Sequence, residues 1–141
     1  MLVRLRGSAT KINDWLFKLD LSLPVVYFDS NDYVITLRMI TLDFHFTDSH
    51  PVRQFWSLRT TAVDKSALNP DQEIGSFITN YDEGSDYMLS YYEPNMLRGY
   101  KIQIPSFHSV EFYLSALKPD NFLQVNYVEL LIDISENARI Q

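Results

Sequence analysis

The chain contains no cysteine, which excludes a disulfide framework and any cysteine-ligated zinc centre. Glycine is scarce, at 4 residues, and nothing like the Gly-x-Ser-x-Gly elbow of serine hydrolases occurs. No run of eighteen apolar residues is present, so no membrane-spanning helix is expected. The N-terminal MLVRLRGSAT lacks the apolar core of a signal peptide, and no Asn-x-Ser/Thr sequon is found, so the expectation is a soluble chain of intracellular origin. Basic residues are outnumbered, 12 against 18 acidic, for a net charge of −6. That balance argues against a general nucleic-acid surface, because a phosphate backbone is repelled by it. The first eighteen residues run the other way, with Arg4, Arg6, Lys11 and Lys18 against Asp14 alone; they read as the solvated face of a strand sooner than as a basic arm.

What is present is apolar and aromatic. Hydrophobic residues make up 46% and aromatic residues 14% of 141 positions, ample for one core, so a single domain over residues 1–141 is expected. Its longest unambiguous segment is Tyr33–Phe46, YVITLRMITLDFHF, whose β-branched and aromatic residues alternate with period two, the signature of a strand. The phase changes midway: Tyr33, Ile35, Leu37 and Met39 are apolar on odd positions, and Ile40, Leu42, Phe44 and Phe46 on even ones. A one-residue slip is what a bulge or bend produces, predicted at Met39–Ile40.

Around this strand the other segments fall into place. Leu2–Arg6 reads as a short edge strand with arginines on its wet side, followed by a break at Gly7–Thr10. Trp15, Phe17, Leu19, Leu21 and Leu23 then alternate with Lys18, Asp20 and Ser22 up to Pro24, a half-buried strand. Phe55–Val63 reads as a further strand. Asn69-Pro70-Asp71-Gln72 supplies a helix N-cap, a proline at the first helical position and an acidic first turn, and Ile74, Phe77, Ile78 and Tyr81 follow at helical spacing. One short helix is therefore expected over Pro70–Tyr81. Tyr87–Tyr92, Leu97–Ile104, Ser109–Leu117 and Phe122–Ile134 complete a set of strands separated by turn residues. With about eight strands and no βαβ alternation, the class expected is all-β, an antiparallel β-sandwich of jelly-roll type.

Candidate chemistry is thin. Asp43-x-His45, His50 and His108-x-x-Glu111 are the obvious metal suspects, but their spacing fails: along a strand His45 and His50 point to opposite faces. Ser106-Phe107-His108-Ser109 holds the ingredients of a nucleophile and a base, although adjacent residues rarely adopt triad geometry. Asp43, Glu111, Glu129 and Asp133 form a carboxylate couple only if they share a cleft; the wet face of an antiparallel sheet is the ordinary explanation. No catalytic, cofactor-binding or metal residue is assigned, and no enzyme is expected. Tyr81, Tyr87, Tyr91, Tyr92 and Tyr100 form a dense aromatic series interleaved with acidic residues, which reads as core and subunit interface, or else as a carbohydrate platform.

Three segments carry a resemblance: FDSNDYVITLRMITLDFHF at Phe28–Phe46, NPDQEIGSFITNY at Asn69–Tyr81, and QVNYVELLIDI at Gln124–Ile134. Together they resemble the penton-like single jelly-roll minor capsid proteins of polintons (Mavericks) and adintoviruses. The resemblance implies a structural protein of the virion that needs no cofactor. It would form a homo-oligomeric ring, a pentamer, at the vertices of an icosahedral shell beside other capsid subunits. The alternative from a different class is a monomeric sandwich that binds a carbohydrate or a protein loop.

Overall fold

The computed structural model describes residues 1–25, 27–28, 33–46, 53–63, 73–80, 88–94, 98–102, 106–107, 110–119 and 123–136. Nine strands occur in them: β1 (Leu2–Asn13), β2 (Leu16–Leu21), β3 (Tyr33–Phe46), β4 (Arg53–Thr60), β5 (Glu73–Asn80), β6 (Met88–Tyr92), β7 (Gly99–Lys101), β8 (Phe112–Ala116) and β9 (Leu123–Glu136). Among the described residues no helix is long and apolar enough to cross a membrane. The all-β antiparallel class is observed, as one continuous sheet in the order β5-β4-β8-β2-β1-β9-β3-β6, with β7 beside β3. That order divides into two runs of four, β1-β9-β3-β6 and β2-β8-β4-β5, joined through the β1–β2 hairpin.

The expected phase slip in β3 is real and falls one residue earlier. Leu37 pairs with Ile132 and Met39 with Leu131, so Arg38 is the extra residue of a bulge. The slip lets Ile35 and Leu37, then Ile40, Leu42 and Phe44, all face inward at 2% exposure or less.

A second slip overturns the helix expected at Pro70–Tyr81. Glu73–Asn80 is strand β5; Pro70–Gln72 and Tyr81 lie outside the described residues. Leu58 pairs with Gly75 and Arg59 with Glu73, which leaves Ile74 as a bulged residue. Ile74 and Phe77 are buried, as is Thr79, whereas Ile78 is 50% exposed. The three-residue step from Ile74 to Phe77 imitates a helical turn, and it is produced by the same device as the step from Leu37 to Ile40.

β1 also departs from expectation. It runs without a break to Asn13 and stands between β9 and β2 in the strand order, while its segment Leu2–Arg6, with Arg4 and Arg6 on the wet face, is paired along one side only among the described residues. Its residues Leu2–Gly7 pair with β9, and Gly7–Asn13 with β2. At the handover an added Cβ on Gly7 would sit 1.9 Å from the carbonyl oxygen of Asp20, so the two backbones approach more closely than any side chain permits. The hairpin turns at Asp14–Trp15, where Asn13 Oδ1 accepts a 3.0 Å bond from the Trp15 N–H. That turn removes Trp15 from the core face assigned to it by alternation and leaves it 40% exposed.

The sheet curls until its margins approach. Phe77 on β5 stacks on Tyr92 of β6, centroids 5.3 Å apart, and Gly75 lies against the Leu37 side chain. Trp56 of β4 occupies the middle of the enclosed core, 2% exposed. It meets Phe17, Phe44 and Phe77 at centroid distances of 6.3, 5.6 and 6.3 Å. Aromatic pairs of this kind add about 0.5–1.5 kcal/mol each beyond the burial of their area. The indole N–H is satisfied by Thr79 Oγ1 at 2.8 Å, avoiding the roughly 1–3 kcal/mol that a buried, unbonded donor costs.

Two outcomes are expected from this arrangement. Gly7→Ala should destabilise by about 1–3 kcal/mol, as overpacking against backbone does, read as a lower urea midpoint. Phe77→Ala should cost about 3–5 kcal/mol, because Phe77 is buried between Trp56 and the far margin of the sheet; a loss below about 1 kcal/mol in the same titration would mean that this ring does not hold the margins together.

Candidate functional site

The even residues of β4, from Gln54 to Thr60, are buried, so Phe55, Ser57 and Arg59 face outward. They pair across to Ile78, Ser76 and Glu73 on β5, and on the other side Ser57 and Arg59 pair with Ser115 and Tyr113 of β8. A groove of about 520 Å³ runs along this outward face, bounded by Trp15, Phe55, Leu117 and Pro119, with Ser57, Arg59, Glu73, Ser76 and Ser115 among its lining. Its size and its apolar walls with a few polar groups suit a binding site.

The walls are fixed by main-chain bonds. The Ala116 N–H donates to the Trp15 carbonyl at 2.7 Å, and the Leu117 N–H to the Phe55 carbonyl at 2.8 Å. Gln54, 1% exposed, clamps the Lys118 main chain from below: its Nε2 donates to the Lys118 carbonyl at 2.9 Å, and its Oε1 accepts from the Lys118 N–H at 3.0 Å. Within the groove Ser57 Oγ donates to Glu73 Oε2 at 2.7 Å. Ser115 is 6% exposed and its Oγ has no hydrogen-bond partner among the described residues. A buried hydroxyl left unbonded is costly, so this position favours an occupant with a polar group.

Beyond the groove, Tyr113 donates its hydroxyl to Glu111 Oε2, and Lys18 Nζ stands 3.8 Å from Glu111 Oε1. The hydrogen bond to Glu111 holds the Tyr113 phenol above its ordinary pKa, with burial and the carboxylate charge adding to the effect. Tyr127 is raised in the same way, first by its bond to Glu129, with Arg6 opposing.

The residues singled out from the sequence do not converge. His45 faces outward on β3 with Nδ1 2.8 Å from Asn126 Nδ2; His50, His108 and Ser109 lie outside the described residues. Ser106 forms an isolated bridge with Tyr27. Among the described residues no three of His, Cys, Asp and Glu come together as a metal site would require. Of the carboxylates, Glu129 is engaged by Arg4 at 2.9 Å and by Tyr127, Asp133 by the N-terminal amine at 3.1 Å, and Glu111 by Tyr113, while Asp43 Oδ1 is buried without a partner among the described residues. The basic residues of the first eighteen are dispersed rather than gathered into an arm: Lys11 Nζ bonds the Leu123 carbonyl. Of the tyrosine series, Tyr92 stacks inward on Phe77 and Tyr100 lies under Arg98, 5.2 Å from its centroid. Tyr81, Tyr87 and the side chain of Tyr91 lie outside the described residues.

Sequence reasoning missed the groove. The one available signal was Asn13-Asp14, turn residues that carry Trp15 out of the strand pattern. For Tyr113, Glu111→Gln should bring the phenol pKa down toward its ordinary value, followed by the pH dependence of the tyrosine Cζ chemical shift. Because the folded pKa is raised, whatever stability the bond contributes is present below the unfolded tyrosine pKa and lost as pH rises through the folded one. No family model matches the chain, and no curated protein matches it either.

Proposed function

We propose that the protein is a non-catalytic assembly subunit, a penton-like vertex component of a viral capsid. The observation that carries this reading is a pair of exposed apolar surfaces at opposite ends of the β1–β2 hairpin. At the turn end stand Ile12 and Trp15, with Leu117 and Ile78 nearby, exposed by 53, 40, 71 and 50%. At the other end, beyond the last residue of β2, Val25 and Tyr27 are exposed by 76 and 74%, and Met1 and Leu2 by 60 and 61%. β2 lies between these ends, and its five steps span about 17 Å. Two different patches on one subunit are what a head-to-tail contact needs, and such contacts close into rings.

The strand order supports a jelly-roll reading of the fold. β1-β9-β3-β6 and β2-β8-β4-β5 are two four-strand runs in which chain neighbours β1 and β2, β3 and β4, and β8 and β9 are divided between the runs. Such a division is what a double Greek key would give, an architecture used by capsid and lectin domains, and it supports that reading. Fold alone does not settle function; the paired apolar patches favour the capsid side, with the subunit placed in the virion beside other shell proteins. A second reading, a saccharide-binding module, is favoured by the polar lining of the groove. Light scattering on the purified chain across a concentration series is expected to give a multiple of 16.5 kDa, with five copies the expected number. A mass of 16.5 kDa at every concentration would remove the assembly reading.

A further inference from the structure

We infer that the contact between neighbouring copies is a knob in a groove: Val25 and Tyr27 of one subunit enter the groove between Trp15, Phe55 and Leu117 of the next. The inference rests on the assembly reading and names its two halves.

The knob is built by the sequence. Pro24 follows β2 and cannot donate a ladder hydrogen bond, so the chain leaves the sheet there, and Tyr27 returns to it only as an isolated bridge to Ser106. Val25 and Tyr27 are the two most exposed large apolar residues described. They cannot reach the groove of their own chain. Ser106 precedes β8, on the side of Phe112, whereas the groove mouth lies where β8 ends, at Ala116 and Leu117. A second copy is therefore the source of the knob.

The fit is chemical as well as steric. The groove is apolar at its walls and offers at its floor the unpartnered Ser115 hydroxyl, so an occupant with an apolar body and a polar tip suits it. A tyrosine has that form. Charge agrees too. Between Lys18 and Arg38 the sequence carries Asp20, Asp29 and Asp32 and no basic residue, while beside the Phe55 wall of the groove stand exposed Lys118, its Nζ 5.8 Å from the Phe55 ring, and exposed Arg53, two residues before Phe55 on β4. In a chain of net charge −6, copies repel one another in most orientations, and this pairing of an acidic stretch with a basic mouth selects one.

The test uses two kinds of full-length variant. Tyr27→Ala with Val25→Asp blocks the knob; Leu117→Arg blocks the groove. All these positions are exposed, so unchanged urea midpoints are expected and serve as the folding control, with Leu117→Lys as a substitute if Leu117→Arg fails it. Each variant alone is expected to be a 16.5 kDa monomer at concentrations where the unaltered chain is multimeric. Mixed one to one, they are expected to form a two-chain complex and nothing larger, because a single intact knob and a single intact groove remain. Trp15 gives a second readout: it is 40% exposed against 2% for Trp56, so assembly should reduce acrylamide quenching of tryptophan fluorescence, and Tyr27→Ala should abolish that protection. Variants that retain the multimer mass would overturn the knob and groove while leaving assembly intact, as would a mixture that yields no complex. A monomeric unaltered chain would sink both. If methyl glycosides quench or shift the Trp15 emission with no effect on mass, the groove is a saccharide site and the knob has no place in it.

Discussion

The antiparallel pairing of β3 with β9 is the constraint on which the rest of the sheet depends. Both strands run for 14 residues, and they pair from Tyr33 with Glu136 to Phe46 with Leu123. At about 3.3 Å per residue such a ladder is some 45 Å long, and only a strongly twisted and bulged strand can keep one face on a compact core over that length. Arg38 on β3 and Asn126 on β9 are the extra residues that make this possible. β9 then offers its other edge to β1, and β3 its other edge to β6 and β7, so four further elements take their register from this pair directly or through β1.

The second constraint is the turn of direction at Gly7. A strand that pairs with β9 in its first half and β2 in its second must pass from one run of strands to the other within one residue, and the backbones meet there at a distance that excludes a Cβ. The same shift carries the β1–β2 hairpin past the end of β9 and places Trp15 beside β8. Fold and candidate site are thus connected: the groove exists because the hairpin overhangs the sheet. Its outer wall at Leu117–Pro119 is held by Gln54, a buried polar residue whose amide is satisfied by the Lys118 main chain. A buried amide with both ends bonded specifies one position for the segment it holds.

The surface chemistry divides along the same lines. Outward faces of β1, β2 and β9 carry charges that find partners within the chain, such as Arg4 with Glu129 and Lys18 with Glu111. Exposed pairs of this sort contribute about 1 kcal/mol or less and serve chiefly to keep those faces wet. Exposed apolar residues stand at the two ends of the first hairpin, and an exposed apolar patch rimmed by polar residues marks an interaction surface.

The sequence by itself determined the class of the fold and most of its strands, because period-two alternation in Tyr33–Phe46, Leu16–Leu21 and Leu123–Glu136 is imposed by the pleat and needs no partner to be read. It also determined the bulge in β3, since Leu37 and Ile40 stand in a long run whose strand character is beyond question. Only the tertiary structure decided β5. Ile74 and Phe77 stand three apart just as Leu37 and Ile40 do, and apolar residues at that spacing satisfy one turn of helix or a bulged strand equally; pairing with Leu58 and Arg59 of β4 selects the strand. Only the tertiary structure placed β1 between β9 and β2, because nothing in the alternation of Leu2–Arg6 shows that the strand runs on through Gly7 to a second partner. The groove was likewise out of reach: Phe55, Ser57, Glu73, Ser115 and Trp15 come from three strands and a turn, and no local pattern records which outward faces the register of a sheet will bring side by side.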